Sequence, residues 1–229
     1  MMVFDRNPCI STALESNSIH RERLKSMGFW FEPDPRVSEE TFDLERLRHS
    51  KNPTLDSLLL RMHAARVATF QEYLQTNPDI TNYSLSLRTR VLGVGRYLSL
   101  ATIQDQYLGG AHGNYFYWCD LVDLETLQVL SLKKFYEPSF LASLGDRYMR
   151  EYCRQKPNIF CAQETRDSIN DTLGLTSDFS EAPLCAARTG IFVDFEEMFS
   201  HADGHQELFI DTALIPRESN TLRILIGQL

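Results

Sequence analysis

The chain has 229 residues, of which 43% are hydrophobic and 24% are charged, so its composition is that of a globular protein and argues against extended disorder. Its 23 basic and 31 acidic residues give a net charge of −8, and no basic cluster interrupts this acidity. Because the phosphate backbone of nucleic acids requires a positive surface, nucleic acid is a poor partner. A cationic partner would be attracted instead.

No segment approaches the roughly 20 apolar residues that cross a bilayer. Residues 1–18 have no basic start followed by an apolar block, so we expect neither a membrane span nor a secretory signal. The cysteines show no C-x-x-C spacing, which argues against a zinc ribbon or a thioredoxin-type motif. Their scatter favours buried free thiols, with a Cys153–Cys161 bridge as the alternative in an oxidising compartment. The five are Cys9, Cys119, Cys153, Cys161 and Cys185.

Residues 1–52 are polar and carry too few apolar side chains for a core of their own, so they predict an extension with short helices at 19–27 and 42–49. Trp30 and its aromatic neighbours would dock this extension. A longer helix follows from Thr54, whose hydroxyl is a candidate N-cap, and Asn77 ends it. Its apolar residues recur at helical spacing and predict one buried side.

From residue 83 to residue 132 the hydrophobic period becomes that of strands. Glycines at 93 and 95 suggest a bulge, and strands are predicted at 97–103, 115–122 and 129–132. The connections are too short for parallel crossovers, which predicts an antiparallel meander. Further on, the pattern predicts helices at 138–155 and 164–173, strands at 190–195 and 207–210, and a final strand or helical turn at 222–226.

These elements predict an α+β fold in which helices pack on an antiparallel sheet. Residues 1–52 are predicted to form the helical extension, and residues 53–229 the α+β domain.

The segment Gly109-Gly110-Ala111-His112-Gly113-Asn114 lies between two predicted strands. Its glycines allow backbone conformations that the flanking aromatic residues disfavour, and its imidazole titrates near neutral pH. The pattern is typical either of a ligand site or of a tight strand connection, and the segment by itself leaves both open.

In its wider context this segment resembles a known family. Residues 97–100, 107–114, 120–126 and 130–135 are similar to the C-terminal domain of the RsiV anti-sigma factor and its relatives, and residues 190–199 and 201–204 resemble the distal part of that domain. The resemblance covers roughly residues 55–216. Leu127 departs from it, because the family usually has a turn glycine there.

The resemblance implies an antiparallel sheet with packed helices and a non-catalytic binding or sensing role at the bacterial cell envelope. The best-understood relative binds lysozyme through this domain. Hen-type lysozyme is basic, so an acidic chain would attract it. The family is usually extracytoplasmic and follows a signal peptide or a membrane anchor, neither of which is visible in this sequence, so the compartment stays open.

An enzymatic alternative, a hydrolase or a metal-dependent enzyme, would use His112 as a general base. Asp105, Asp120 or Asp123 would assist it, but no nucleophile motif is present. A dyad of His112 with Cys119 is the weaker variant. A metal site would draw on imidazole and carboxylate ligands, although a loop does not present a histidine pair as a helix does. Its candidate ligands are His112, His201, Asp203 and His205.

The favoured interpretation makes His112 a support of the turn, hydrogen-bonded to backbone or to a carboxylate. We therefore predict no catalytic residue, no metal and no cofactor. The expected partner is a protein or another envelope ligand. Neighbouring aromatic residues supply a candidate binding surface, about half of which faces the core because side chains alternate along a strand. They are Tyr107, Tyr115, Phe116, Tyr117 and Trp118.

Overall fold

The computed structural model describes residues 18–35, 42–109, 113–131, 135, 184–194, 207–214 and 220–229. It confirms the predicted α+β class, with a mostly antiparallel six-stranded sheet and helices. The chain divides into two compact units, residues 18–129 and residues 1–17 with 130–229. The predicted helices at 138–155 and 164–173 lie outside the described residues.

The first unit carries two helices and the larger sheet, whose strands follow one another in the order β1-β2-β3-β4-β5-β6. The elements are α1 (Arg21–Met27), β1 (Phe29–Pro33), β2 (Phe42–His49), α2 (Pro53–Thr76), β3 (Ser84–Val94), β4 (Tyr97–Tyr107), β5 (Asn114–Asp123) and β6 (Gln128–Leu130).

Strands β3, β4 and β5 form the predicted antiparallel ladder. Two residues connect β3 to β4, which is the length that antiparallel hairpins use. The register shifts between Val91 and Gly93, so the bulge expected at this glycine is confirmed.

Strand β2 occupies the segment in which a short helix was predicted, so that prediction is wrong. Leu44 and Leu47 are three residues apart, as on a helix, but pairing of this segment with β1 and β3 decides its conformation. Strand β1 pairs with β2 antiparallel, whereas β2 pairs with β3 parallel. Helix α2 lies between β2 and β3 in the chain and provides the long crossover that a parallel pair requires. The helix predicted at 19–27 is present as α1.

Helix α2 is capped two residues ahead of the expected position. The side chain of Asn52, not Thr54, accepts hydrogen bonds from the backbone N–H groups of Thr54 and Leu55, and Pro53 takes the first helical position. The helix ends before Asn77, as predicted. Its buried apolar residues contribute to two core clusters, one with Val91, Leu98, Leu100 and Val122, the other with Leu44, Leu85 and Leu87. These helix residues are Leu55, Leu58, Leu59, Val67 and Phe70.

The described part of the second unit is a three-stranded antiparallel sheet in the order β7-β8-β9. Two of its strands confirm those predicted near residues 190 and 207, and the last predicted element is the helix α3. The elements are β7 (Leu184–Ala187), β8 (Gly190–Asp194), β9 (Glu207–Asp211), a 3-10 turn (Thr212–Leu214) and α3 (Asn220–Gly227).

Among the helices that the structure describes, none has the length and apolar composition that a bilayer crossing requires.

The N-cap assignment is testable by substitution. Asn52→Ala removes the acceptor for two N–H groups at the start of α2, so the free energy of unfolding should fall by about 1 kcal/mol. Thr54→Ala is the matched control, since Thr54 is exposed and contributes its backbone N–H, and it should change stability much less. Urea denaturation of both variants decides between the two caps; a larger loss for Thr54→Ala would overturn the assignment.

Candidate functional site

The glycine-rich segment connects β4 to β5. These strands pair as far as Gln106 and Asn114, and the segment lies in the connection between them. Gly109 has φ +87°, a backbone conformation that residues with a side chain rarely adopt. A Cβ on Gly113 would lie 3.1 Å from the backbone oxygen of Gln106, so a side chain would crowd the hairpin there. At Gly109 and Gly113 the backbone of the hairpin therefore favours glycine.

Gly110, Ala111 and His112 lie outside the described residues, as do the proposed metal ligands His201, Asp203 and His205. The roles assigned to them stay predictions. Within the described ranges, no group of three or more histidine, cysteine, aspartate or glutamate side chains could hold a metal ion.

The three aspartates named as possible partners of His112 do not share a face. Asp105 pairs with Tyr115 and Asp120 pairs with Leu100, an odd and an even position of β4, so their side chains point to opposite faces of the sheet. Asp123 lies at the far end of β5, where its Oδ1 accepts the backbone N–H groups of the following turn and caps it. The three carboxylates therefore do not come together at one site.

Cys119 and Cys185 are both disulfide-bonded. The prediction of free thiols is wrong for these two residues. A disulfide sulfur is not a thiolate, and thiolates are the nucleophilic form of cysteine, so the suggested Cys119–His112 dyad is wrong as well.

Arg66 places a charge in the middle of the interface between α2 and the sheet. Its Nη1 donates to Thr102 Oγ1 at 2.9 Å, and its Nη2 donates to the Asp120 carboxylate. Thr102 Oγ1 also lies 3.1 Å from Thr89 Oγ1. The guanidinium carbon lies 5.5 Å from the centre of the Trp118 ring, within the range of a cation–π contact. One helix residue therefore joins β4 and β5 and holds the tryptophan.

The side chains of Arg66 and Asp120 are 10% and 17% exposed. An ion pair buried to this degree depends on both partners, because removal of one leaves an uncompensated charge. Arg66 is not among the residues predicted from the sequence, where the available signal is a basic residue within the apolar side of an amphipathic helix.

Part of the expected aromatic surface is exposed on this face. Phe116 is 37% exposed and Trp118 is 39% exposed, whereas Tyr117 between them points to the other face. Phe116 pairs with Gln104, whose Nε2 donates to Gln106 Oε1 at 2.8 Å. Aromatic rings and amides therefore lie side by side here.

A second polar network joins β1 and β2 to the start of α2. Arg48 holds the Asp56 carboxylate with two donors at 2.8 and 2.7 Å, and it donates to Glu32 at 2.5 Å. Arg46 also donates to Glu32. The hydrogen bonds from Arg48 lower the pKa of Asp56 below its usual value. At Glu32 burial raises the pKa, but the bonds from the two arginines outweigh it, so the pKa falls.

This network continues inward to a buried histidine. His63 Nε2 lies 3.0 Å from Asp34 Oδ2, and Arg46 Nη1 lies 3.7 Å from Asp34 Oδ1. These side chains contact one another across three elements, so the network acts as an internal support. Its pairing was not visible in the sequence, because the partners are far apart along the chain.

Comparison with solved structures supplies relatives of this fold. A DUF3298 family protein from Pseudomonas aeruginosa PAO1 aligns over 83% of this chain and 89% of its own length, with a TM-score of 0.50 and 16% identity. A DUF3298 family member from Bacteroides fragilis NCTC 9343 aligns over 86% of this chain and 98% of its own, with a TM-score of 0.55 and 13% identity. The chain has the fold of DUF3298 proteins.

At these identities the DUF3298 likeness concerns the fold alone. No family model matches the sequence, and no curated protein matches it. The specific resemblance to RsiV therefore stays a prediction.

Asp105 offers a pH test at the hairpin. Burial raises the pKa of this carboxyl, and the charge of Arg88 opposes the rise. Because the folded state holds the proton more tightly than the unfolded state, ionisation of Asp105 costs stability as pH rises through the folded pKa. Asp105→Asn should therefore raise the melting temperature at pH 7.

The advantage of Asp105→Asn should shrink towards pH 3.5, below the ordinary aspartate pKa of about 3.9. Asp79→Asn, at an exposed position before β3, is the control. Melting curves at both pH values decide the matter; an Asp105→Asn variant that is less stable than wild type at pH 7 would contradict the assignment.

Proposed function

We propose that this chain is a non-catalytic binding or sensing module of a bacterial envelope protein. The observation that carries the proposal is the pair of exposed rings, Phe116 and Trp118, on a face of the sheet whose charged residues pair with each other. Exposed aromatic residues on a rigid element are typical of recognition surfaces, because they bury a large area at low entropic cost.

The cysteines support a location outside the cytoplasm. Disulfides persist in oxidising compartments and are rare where thioredoxin and glutathione keep thiols reduced. Cys119 and Cys185 are disulfide-bonded on separate strands, β5 and β7, which suits an envelope protein.

The partner proposed from the family resemblance is a lysozyme-like protein or another envelope ligand. The net charge of −8 favours the approach of a basic protein such as hen-type lysozyme. The glycine-rich hairpin, Gly109 to Asn114, would support this surface from one end, with His112 as a structural residue of the loop.

Binding measured by calorimetry tests the proposal. Lysozyme and soluble peptidoglycan fragments are titrated into the oxidised chain, and at least one should bind. Succinylated lysozyme, which has lost its positive charge, is the control for simple charge attraction, and His112→Ala should bind as wild type does. Absence of binding to every probe would overturn the proposal. Hydrolysis of a fragment that His112→Ala abolishes would overturn it in favour of an enzyme.

A further inference from the structure

The exposed apolar residues of the first unit are concentrated beside α2. Among the described residues of the whole chain, five large hydrophobic side chains are exposed, and three of them are the aromatic residues of this region. These are Tyr73 on α2, 45% exposed, and the rings of Phe116 and Trp118 on β5. The other two, Val129 and Ile224, are aliphatic and lie elsewhere in the chain.

Helix and strand geometry put the three rings on one side of the unit. Tyr73 follows Arg66 by seven residues, about two turns, so both point to the same side of α2 and are separated by about 10 Å along its axis. Arg66 contacts Trp118, and Phe116 follows Trp118 at about 7 Å towards the start of β5.

The step from Arg66 to Tyr73 along α2 and the step from Trp118 to Phe116 along β5 point in the same direction. Val67 and Phe70 of α2 pack on Leu85 and Leu87 at the start of β3. Through β4, that end of the sheet is aligned with the start of β5. Tyr73 therefore extends beyond Arg66 towards the end of the sheet at which Phe116 lies. We name Tyr73, Phe116, Trp118 and Gln106 the aromatic surface.

The polar groups of the aromatic surface are neutral. Gln104 is buried and its Nε2 donates to Gln106 Oε1, so the partly exposed amide of Gln106 is a polar group that a ligand can reach. Arg66 and Asp120, which lie beside the Trp118 ring, neutralise each other. Nothing among these residues offers a countercharge to an ionic ligand.

Resting on the proposed function, we propose that the aromatic surface binds a neutral glycan chain. Sugar rings present C–H faces that stack on aromatic rings, and their hydroxyl groups exchange hydrogen bonds with amides. Aromatic side chains with a few placed polar groups are the usual lining of small-ligand sites. Successive rings on β5 would engage successive parts of one chain, while Arg66 holds the Trp118 ring in position from behind.

The test uses the two tryptophans of the chain. Trp30→Phe leaves Trp118 as the sole indole, and titration of this variant with chitohexaose should change the indole fluorescence in a saturable manner. Calorimetry on the wild type should give the same Kd. Trp118→Ala should weaken binding by about ten-fold or more, and Phe116→Ala by a smaller factor.

Three controls keep the result interpretable. Trp118→Phe, which preserves a ring, should retain most of the affinity. Ile224→Ala removes an even more exposed aliphatic side chain from α3 and should bind as wild type does. Far-UV circular dichroism and melting curves establish that each variant is folded.

The outcomes separate this inference from the proposed function. Lysozyme binding that is unaffected by Trp118→Ala, without any chitohexaose binding, leaves a binding module but overturns the glycan surface. If Trp118→Ala abolishes lysozyme binding and chitohexaose again does not bind, the aromatic surface binds a protein. This outcome also overturns the glycan assignment. Absence of binding to every probe overturns both proposals.

Discussion

One charged residue of α2 connects the helix to two strands of the sheet at once. Arg66 reaches from an otherwise apolar side of the helix to Thr102 on β4 and to Asp120 on β5. An ion pair buried in a core contributes specificity when any other alignment leaves both charges unpaired. We infer that the pair favours the observed alignment of helix and sheet, in which apolar clusters also pack between them.

The same pair accounts for the chemistry of the adjacent surface. Asp120 is occupied by Arg66 and Asp123 by the backbone of its turn, so neither carboxylate is arranged as a general base. With these charges paired internally, the large exposed side chains among the described residues of β5 are the rings of Phe116 and Trp118. The proposed function rests on this arrangement, in which the charged groups are paired inside and the aromatic rings are exposed.

The ladder β3–β4–β5 was predictable because its information is local: alternation, short connections and the bulge glycine Gly93 are all visible in sequence. Strand β2 was not, since the spacing of Leu44 and Leu47 suits a helix and pairing with remote strands overrides it. Arg66 looks like a surface residue until its partner 54 positions away is known. Cysteine spacing likewise does not reveal oxidation, so the bonded state of Cys119 required the structure.

A double-mutant cycle on Arg66 and Asp120 tests whether this ion pair holds α2 on the sheet. Arg66→Met and Asp120→Asn should each lower the free energy of unfolding by about 3 kcal/mol or more, because each leaves a buried charge unpaired. The double variant should lose no more than either single variant, which gives a large coupling energy. Small, additive losses of about 0.5 kcal/mol would instead mean that the pair does not hold the helix on the sheet.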